Sequence, residues 1–170
     1  MNYKTPTTGS DSTQEMYFGN YGTTIGNVKG GTDETSYVGG KWNTKRCIFK
    51  ATNQDKTSDK VNNNGGEGYC APACCCDRYS TPGTKQGDWY LPMPGELYQL
   101  YKNKTIINEK RTAIKGRGFS EGNYYWSSRE YDRDNEYYIL LGNGRIGAFG
   151  KVNDNYVLAF LAVEVSQLVN

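Results

Sequence analysis

The sequence predicts an α+β domain: a loop-rich antiparallel sheet accompanied by one or two helices. Three observations carry that expectation. A single segment, Glu96–Tyr101, has apolar residues at helical spacing (Leu97, Leu100, Tyr101). The C-terminal third alternates short aromatic or aliphatic runs with turn residues, as strands do. Glycine (21) and tyrosine (15) are abundant; the glycines supply tight corners and the aromatics supply the burial that sparse aliphatics do not.

A chain of 170 residues suits one domain with a substantial core. Disorder would explain the polarity, but not 14% aromatic residues with a net charge of only +2. That balance of charge, with no long basic run, speaks against a nucleic-acid partner. The longest apolar stretch, near Val157–Val163, is far short of a bilayer span, so no membrane insertion is expected. The opening Met1–Thr8 lacks the apolar centre of a signal peptide, which fits either a chain used without Sec export, as virion proteins are, or a leader that this sequence does not include.

In chain order, residues 1–16 read as a polar arm, 17–165 as the domain and 166–170 as a tail. Short strands separated by glycine turns are expected from Met16 to Val38. Gly39–Thr44 reads as a turn into Lys45–Thr52, a short strand or helix. Asn62–Gly66 is a loop, and Ala73–Tyr79 is a helix stopped by Thr81-Pro82-Gly83. Trp89 and Leu91 lie on a strand that feeds the Glu96 helix, and both read as core, as does Trp126. After a polar, basic connector come strands at Tyr124–Ser128 and Tyr137–Leu141, the latter ended by Asn143-Gly144, a hairpin turn signal. Arg145–Phe149 answers across that hairpin, and Asn155–Val165 closes the domain as a buried strand.

Little in the chain invites catalysis. There is no histidine, which removes the commonest general base and a common zinc ligand. Ser127 and Ser128 therefore read as turn-satisfying hydroxyls. Cys47, Cys70, Cys74, Cys75 and Cys76 lack C-x-x-C spacing, and three adjacent cysteines cannot readily share one tetrahedral metal site. Two of the three adjacent cysteines read as small apolar residues buried on a helix face. Asp132, Asp134 and Glu136, with Asn153, Asp154 and Asn155, could offer oxygens to calcium, but a solvated loop explains them better. No metal, cofactor or catalytic residue is expected, and the chain reads as a non-enzyme.

What stands out is a crowd of tyrosine, arginine and asparagine in the last fifty residues. Arg129, Tyr131, Arg133, Asn135, Tyr137, Asn143, Arg145, Asn153, Asn155 and Tyr156 lie on two hairpin-like strands and their loops, with Tyr138 among them. Tyrosine gives large contact area at low entropic cost, and Asn and Arg give adaptable hydrogen bonds. Alternate strand positions such as Tyr138 fit the core or the sheet surface equally well.

Gly87-Asp88-Trp89-Tyr90-Leu91-Pro92, then Gly95-Glu96-Leu97 and Leu100-Tyr101, precede Tyr125-Trp126-Ser127-Ser128, Glu130-Tyr131, the Asn143-Gly144 turn and Val157, Ala159 and Ala162. That succession, over residues 40–163, resembles the C-type-lectin-like domains of phage and bacterial surface proteins, including the variable proteins of diversity-generating retroelements and related receptor-binding and adhesion modules. The resemblance implies a C-type-lectin-like fold. It also implies a non-enzymatic binding module on a virion or bacterial surface, with a cell-surface protein or glycan as partner and the Tyr/Asn/Arg segment as ligand face. A structural capsid or tail-decoration role is the alternative. Leu158 and Leu161 stand where that family carries arginines. Both faces of the closing strand are then apolar, which predicts a homo-oligomer or larger assembly with Leu158 and Phe160 on the subunit side.

Overall fold

A computed structural model describes residues 16–31, 39–50, 70–115, 118–119 and 121–163. The expected loop at 62–66, residues 1–15 of the arm and the tail at 166–170 lie outside the described residues. The architecture is mixed α+β, and the described residues form four helices and seven strands rather than one or two helices on a sheet.

The centre is a three-stranded antiparallel sheet, β3 (Tyr124–Glu130), β4 (Asn135–Leu140) and β5 (Arg145–Gly150), in the order β3-β4-β5. The turn at Asn143-Gly144 forms as its sequence requires: Gly144 takes φ 76° and its N–H donates to the Leu140 carbonyl at 2.8 Å. Gly147, opposite Tyr138, lets that ring cross the strand, since a Cβ there would sit 2.6 Å from the Tyr138 hydroxyl oxygen. Register between β3 and β4 breaks between Trp126 and Glu130. There β3 bonds outside the sheet: the Ser128 N–H donates to the Pro92 carbonyl and the Glu130 N–H to the Asn27 carbonyl.

Strand side chains alternate between faces, and here each face meets its own core. Trp126 and Tyr138 pack with Phe18, Ile25, Cys47, Cys70, Cys76, Leu91 and Val157. Tyr125 and Ile139 pack on the other side with Leu97, Leu100, Leu141 and Leu158. Tyr125 and Trp126 are therefore neighbours in sequence and both fully buried.

The first core is lined by α1 (Gly40–Lys50) and α2 (Ala71–Arg78). Helix α1 begins inside the expected turn. Its buried positions are Gly40, Asn43, Thr44 and Cys47, a helical spacing written in small and polar residues that hydrophobic patterning overlooks. Thr44 satisfies itself by donating to the Gly40 carbonyl at 2.9 Å. The second core receives α3 (Pro94–Lys102), whose Leu97 and Leu100 are buried as their spacing predicts. Glu96 caps this helix by accepting from the Met93 N–H at 2.8 Å and the Tyr90 hydroxyl at 2.8 Å. Helix α4 (Lys104–Ala113) occupies the expected connector; it buries no residue fully, so it has no core face to advertise.

The closing segment corrects two expectations. It is not one long strand: β6 (Asp154–Asn155) pairs with β1 (Met16–Tyr17), and β7 (Phe160–Leu161) pairs with β2 (Trp89–Tyr90). Between them Tyr156 exchanges backbone hydrogen bonds with Tyr124 and Trp126. Nor is Leu158 a subunit contact. Val157 points into the first core and Leu158 into the second, with 1% and 6% exposure, and Phe160 is half-buried against the second core beside Tyr90. Both sides of this segment are apolar because it runs between two cores. Leu158→Arg is accordingly expected to destabilise the fold by about 4 kcal/mol or more, through lost packing plus a buried charge. Chemical denaturation checks this, and a variant with the wild-type midpoint would contradict it.

Candidate functional site

The β3–β4 turn, residues 131–134, is built from below by a buried ion pair. Glu130 and Lys151 have side chains 3% and 0% exposed, with Lys151 Nζ 2.8 Å from Glu130 Oε1. Burying such a pair is tolerable only if its remaining hydrogen-bonding capacity is used, and here it is. The Glu130 carboxylate also accepts from the Ile25 and Gly26 N–H groups, each at 2.8 Å. Lys151 Nζ also donates to the Thr23 carbonyl at 3.2 Å and the Arg133 carbonyl at 3.1 Å. One pair thus ties together the 23–26 loop, the end of β3, the β3–β4 turn and the β5–β6 turn.

The turn is closed from above by Asp132. Its carboxylate accepts from the Asp134 N–H at 2.8 Å, the Asn135 N–H at 2.7 Å and the Asn135 side-chain amide at 2.9 Å. Desolvation opposes ionisation there, but these bonds outweigh it and hold the carboxyl below its usual range. On this fixed turn Tyr131 is 58% exposed and meets Tyr137 edge-on, ring centroids 5.3 Å apart. The Arg133 side chain is 70% exposed. Asn135 faces Gly150 across the ladder, and the Asn153 amide donates to the Gly150 carbonyl at 3.0 Å, so both asparagines join the same corner. Arg129 borders it, half-buried, with its guanidinium donating to the Val28 carbonyl.

Six of the ten residues expected on the ligand face therefore gather here: Arg129, Tyr131, Arg133, Asn135, Tyr137 and Asn153. Asn143 and Arg145 are exposed but sit on the β4–β5 turn at the far end of the strand, about 17 Å away at the rise of a strand. Asn155 is buried in β6 opposite Met16, and Tyr156 packs against Tyr125 with centroids 5.6 Å apart; both belong to the scaffold. Tyr138 is core too, stacked on Phe149 at 4.2 Å.

Sequence reasoning missed the residues that position the corner: Glu130, Lys151, Asn27 and Glu136. Charged residues in a hairpin read as solvated, and no local pattern signals otherwise. Glu136 is fully buried and accepts from the Asn27 amide at 2.8 Å, which also donates to the Ser128 carbonyl at 2.8 Å. Burial raises the Glu136 carboxyl well above its ordinary value; Lys151 opposes that shift. The oxygens considered for calcium are thereby separated: Glu136 and Asn155 turn inward, whereas Asp132 spends its carboxylate on the turn.

The cysteines fill the α1–α2 junction. Cys47, Cys70, Cys74 and Cys76 are buried. Burial pushes the Cys74 thiol up to about 12, raises Cys47, which also contacts the Cys70 thiol, and raises Cys76. The Cys76 S–H donates to the Leu158 carbonyl at 3.7 Å. Thiols held protonated are poor nucleophiles and poor metal ligands. Ser127 Oγ accepts from the Arg129 N–H at 3.3 Å.

Comparison with known proteins adds nothing to this geometry. No family model, curated protein or solved structure matches the chain. The arrangement by itself is a rigid, solvent-facing aromatic corner with guanidinium and amide groups at its rim.

Two outcomes test the scaffold. Lys151→Met strands the Glu130 charge and is expected to cost about 3–5 kcal/mol, part of which Glu130→Gln in the same chain restores; denaturation of the two single variants and the double variant measures this. For Glu136, a folded-state pKa raised above the unfolded one means stability that is complete below about pH 4.3 and lost as pH rises towards the folded value. Glu136→Gln lacks that loss, so its melting temperature relative to wild type should climb from pH 4 upward, and a flat difference would contradict the assignment.

Proposed function

We propose that this chain is a non-enzymatic binding module with a C-type-lectin-like fold, displayed on a phage virion or bacterial surface. Its ligand face is the Tyr131 corner, and its partner is a cell-surface protein or glycan. The observation that carries this reading is Tyr131, exposed and edge-on to Tyr137, on a turn immobilised by Asp132 above and by the Lys151–Glu130 pair below. A rigid aromatic presented this way loses little entropy when it binds, which is the economy that recognition surfaces exploit. Arg133 and Arg129, with Asn135 and Asn153, add hydrogen-bonding groups at the rim. The ordered motifs from Trp89 to Ala162 support the lectin-like assignment, and the mixed α+β architecture is compatible with it. Display in a homo-oligomer or larger assembly would add avidity. Its interface must lie elsewhere than Leu158, which the core consumes.

A glycan-array and cell-surface screen of the whole chain tests the proposal. Tyr131→Ala is expected to weaken any binder found by about 30-fold, the loss typical of an aromatic hot spot, without lowering the melting temperature. A screen without a binder, or a binder indifferent to Tyr131→Ala and Arg133→Ala, would refute it.

A further inference from the structure

Helix α1 carries a second feature that the hairpin corner does not absorb. Its inner side is buried through Gly40, Asn43, Thr44 and Cys47. On its outer side Trp42 is 44% and Phe49 63% exposed. Seven residues apart, the two rings sit two helical turns from each other on one stripe, about 10 Å along the axis. Lys41 and Lys45 are exposed along one margin of the stripe and Arg46 lies on the other. Lys29 Nζ lies 6.0 Å from the Trp42 ring centroid, and the Arg46 guanidinium 5.7 Å from that of Phe49.

Charge marks this face as unusual for the molecule. The α1 segment GKWNTKRCIFK holds Lys41, Lys45, Arg46 and Lys50 and no carboxylate, in a chain whose net charge is only +2. Among the described residues, none of Lys41, Lys45 and Lys50 makes an ion pair. Lysines with no counter-charge among the described residues, and rings accompanied by Lys29 and Arg46, complement a partner that is anionic and has apolar faces.

We infer that the outer face of α1 binds an acidic polysaccharide: sugar rings lie against Trp42 and Phe49, and carboxylate or sulfate groups pair with Lys29, Lys41, Lys45 and Arg46. The shape favours this occupant over other anions. The stripe is a convex ridge with two rings spaced along a line, which suits successive units of an extended polymer. A peptide helix would need a groove. A lipid surface would need a broader apolar face than one stripe with lysines along its margin. Val28, 52% exposed, accepts from Arg129 and is followed by Lys29, which stands beside Trp42. The inference does not depend on the corner binding anything.

Calorimetric titration of the whole chain tests it, with alginate and heparin as probes, dextran as the neutral control and phosphatidylglycerol vesicles as the alternative anionic surface. Alginate or heparin is expected to bind, with affinity falling as salt rises, while dextran and vesicles do not. Lys41→Glu with Lys45→Glu, two exposed positions, is expected to reduce affinity about tenfold or more, and Trp42→Ala and Phe49→Ala to do likewise with unchanged melting temperature. Tyr131→Ala is expected to leave this binding within about twofold, separating it from the corner. Absence of polyanion binding, preference for vesicles, or loss only in the charge variants with both aromatic variants silent would overturn the inference.

Discussion

The Lys151–Glu130 contact governs more of this molecule than its size suggests. Both side chains are withdrawn from water, and a bare pair so placed would cost more in desolvation than attraction returns. Backbone groups make up the difference: two N–H groups of the 25–26 loop serve the carboxylate, and two carbonyls serve the ammonium. The consequence is positional. Segments far apart in sequence meet at one point, and the β3–β4 turn above it can hold Tyr131 out in solvent without collapsing.

A related economy runs through the centre of the fold. Strands β3 and β4 send buried side chains into both cores, Trp126 and Tyr138 into one and Tyr125 and Ile139 into the other. The closing segment repeats this with Val157 and Leu158. An apolar pair on opposite sides of a strand resembles an exposed, association-prone surface when the second core is unseen. With both cores in place, it is a seam between them.

Polar and titratable side chains also line the interior. Burial raises the Cys47, Cys74 and Cys76 thiols and the Glu136 carboxyl, which accepts from the Asn27 amide. Among the described residues, exposed rings stand beside polar or cationic groups at the hairpin corner and on the outside of α1. Both carry features used in recognition, namely exposed rings beside guanidinium, ammonium or amide groups.

By itself the sequence determined the elements whose patterns are local. Asn143-Gly144 specified its turn, Leu97 and Leu100 specified the buried face of α3, and Trp126 and Leu91 were legible as core. Helix α1 reads equally as strand or helix because its buried stripe is Gly, Asn, Thr and Cys. Helix α4 was missed because it has no fully buried side chain. Of the candidate site, the residue types were legible but their grouping was not: Asn143 and Arg145 fall at the other end of β4, and Asn155 and Tyr156 turn into the scaffold. Only the tertiary structure decided which charges are interior. Lys151 sits in a turn and Glu130 ends a strand, positions where solvent is the default partner, and nothing local marks that they are partners across twenty residues. Their burial follows from the 23–27 loop closing over them, a long-range contact that no periodicity along the chain encodes.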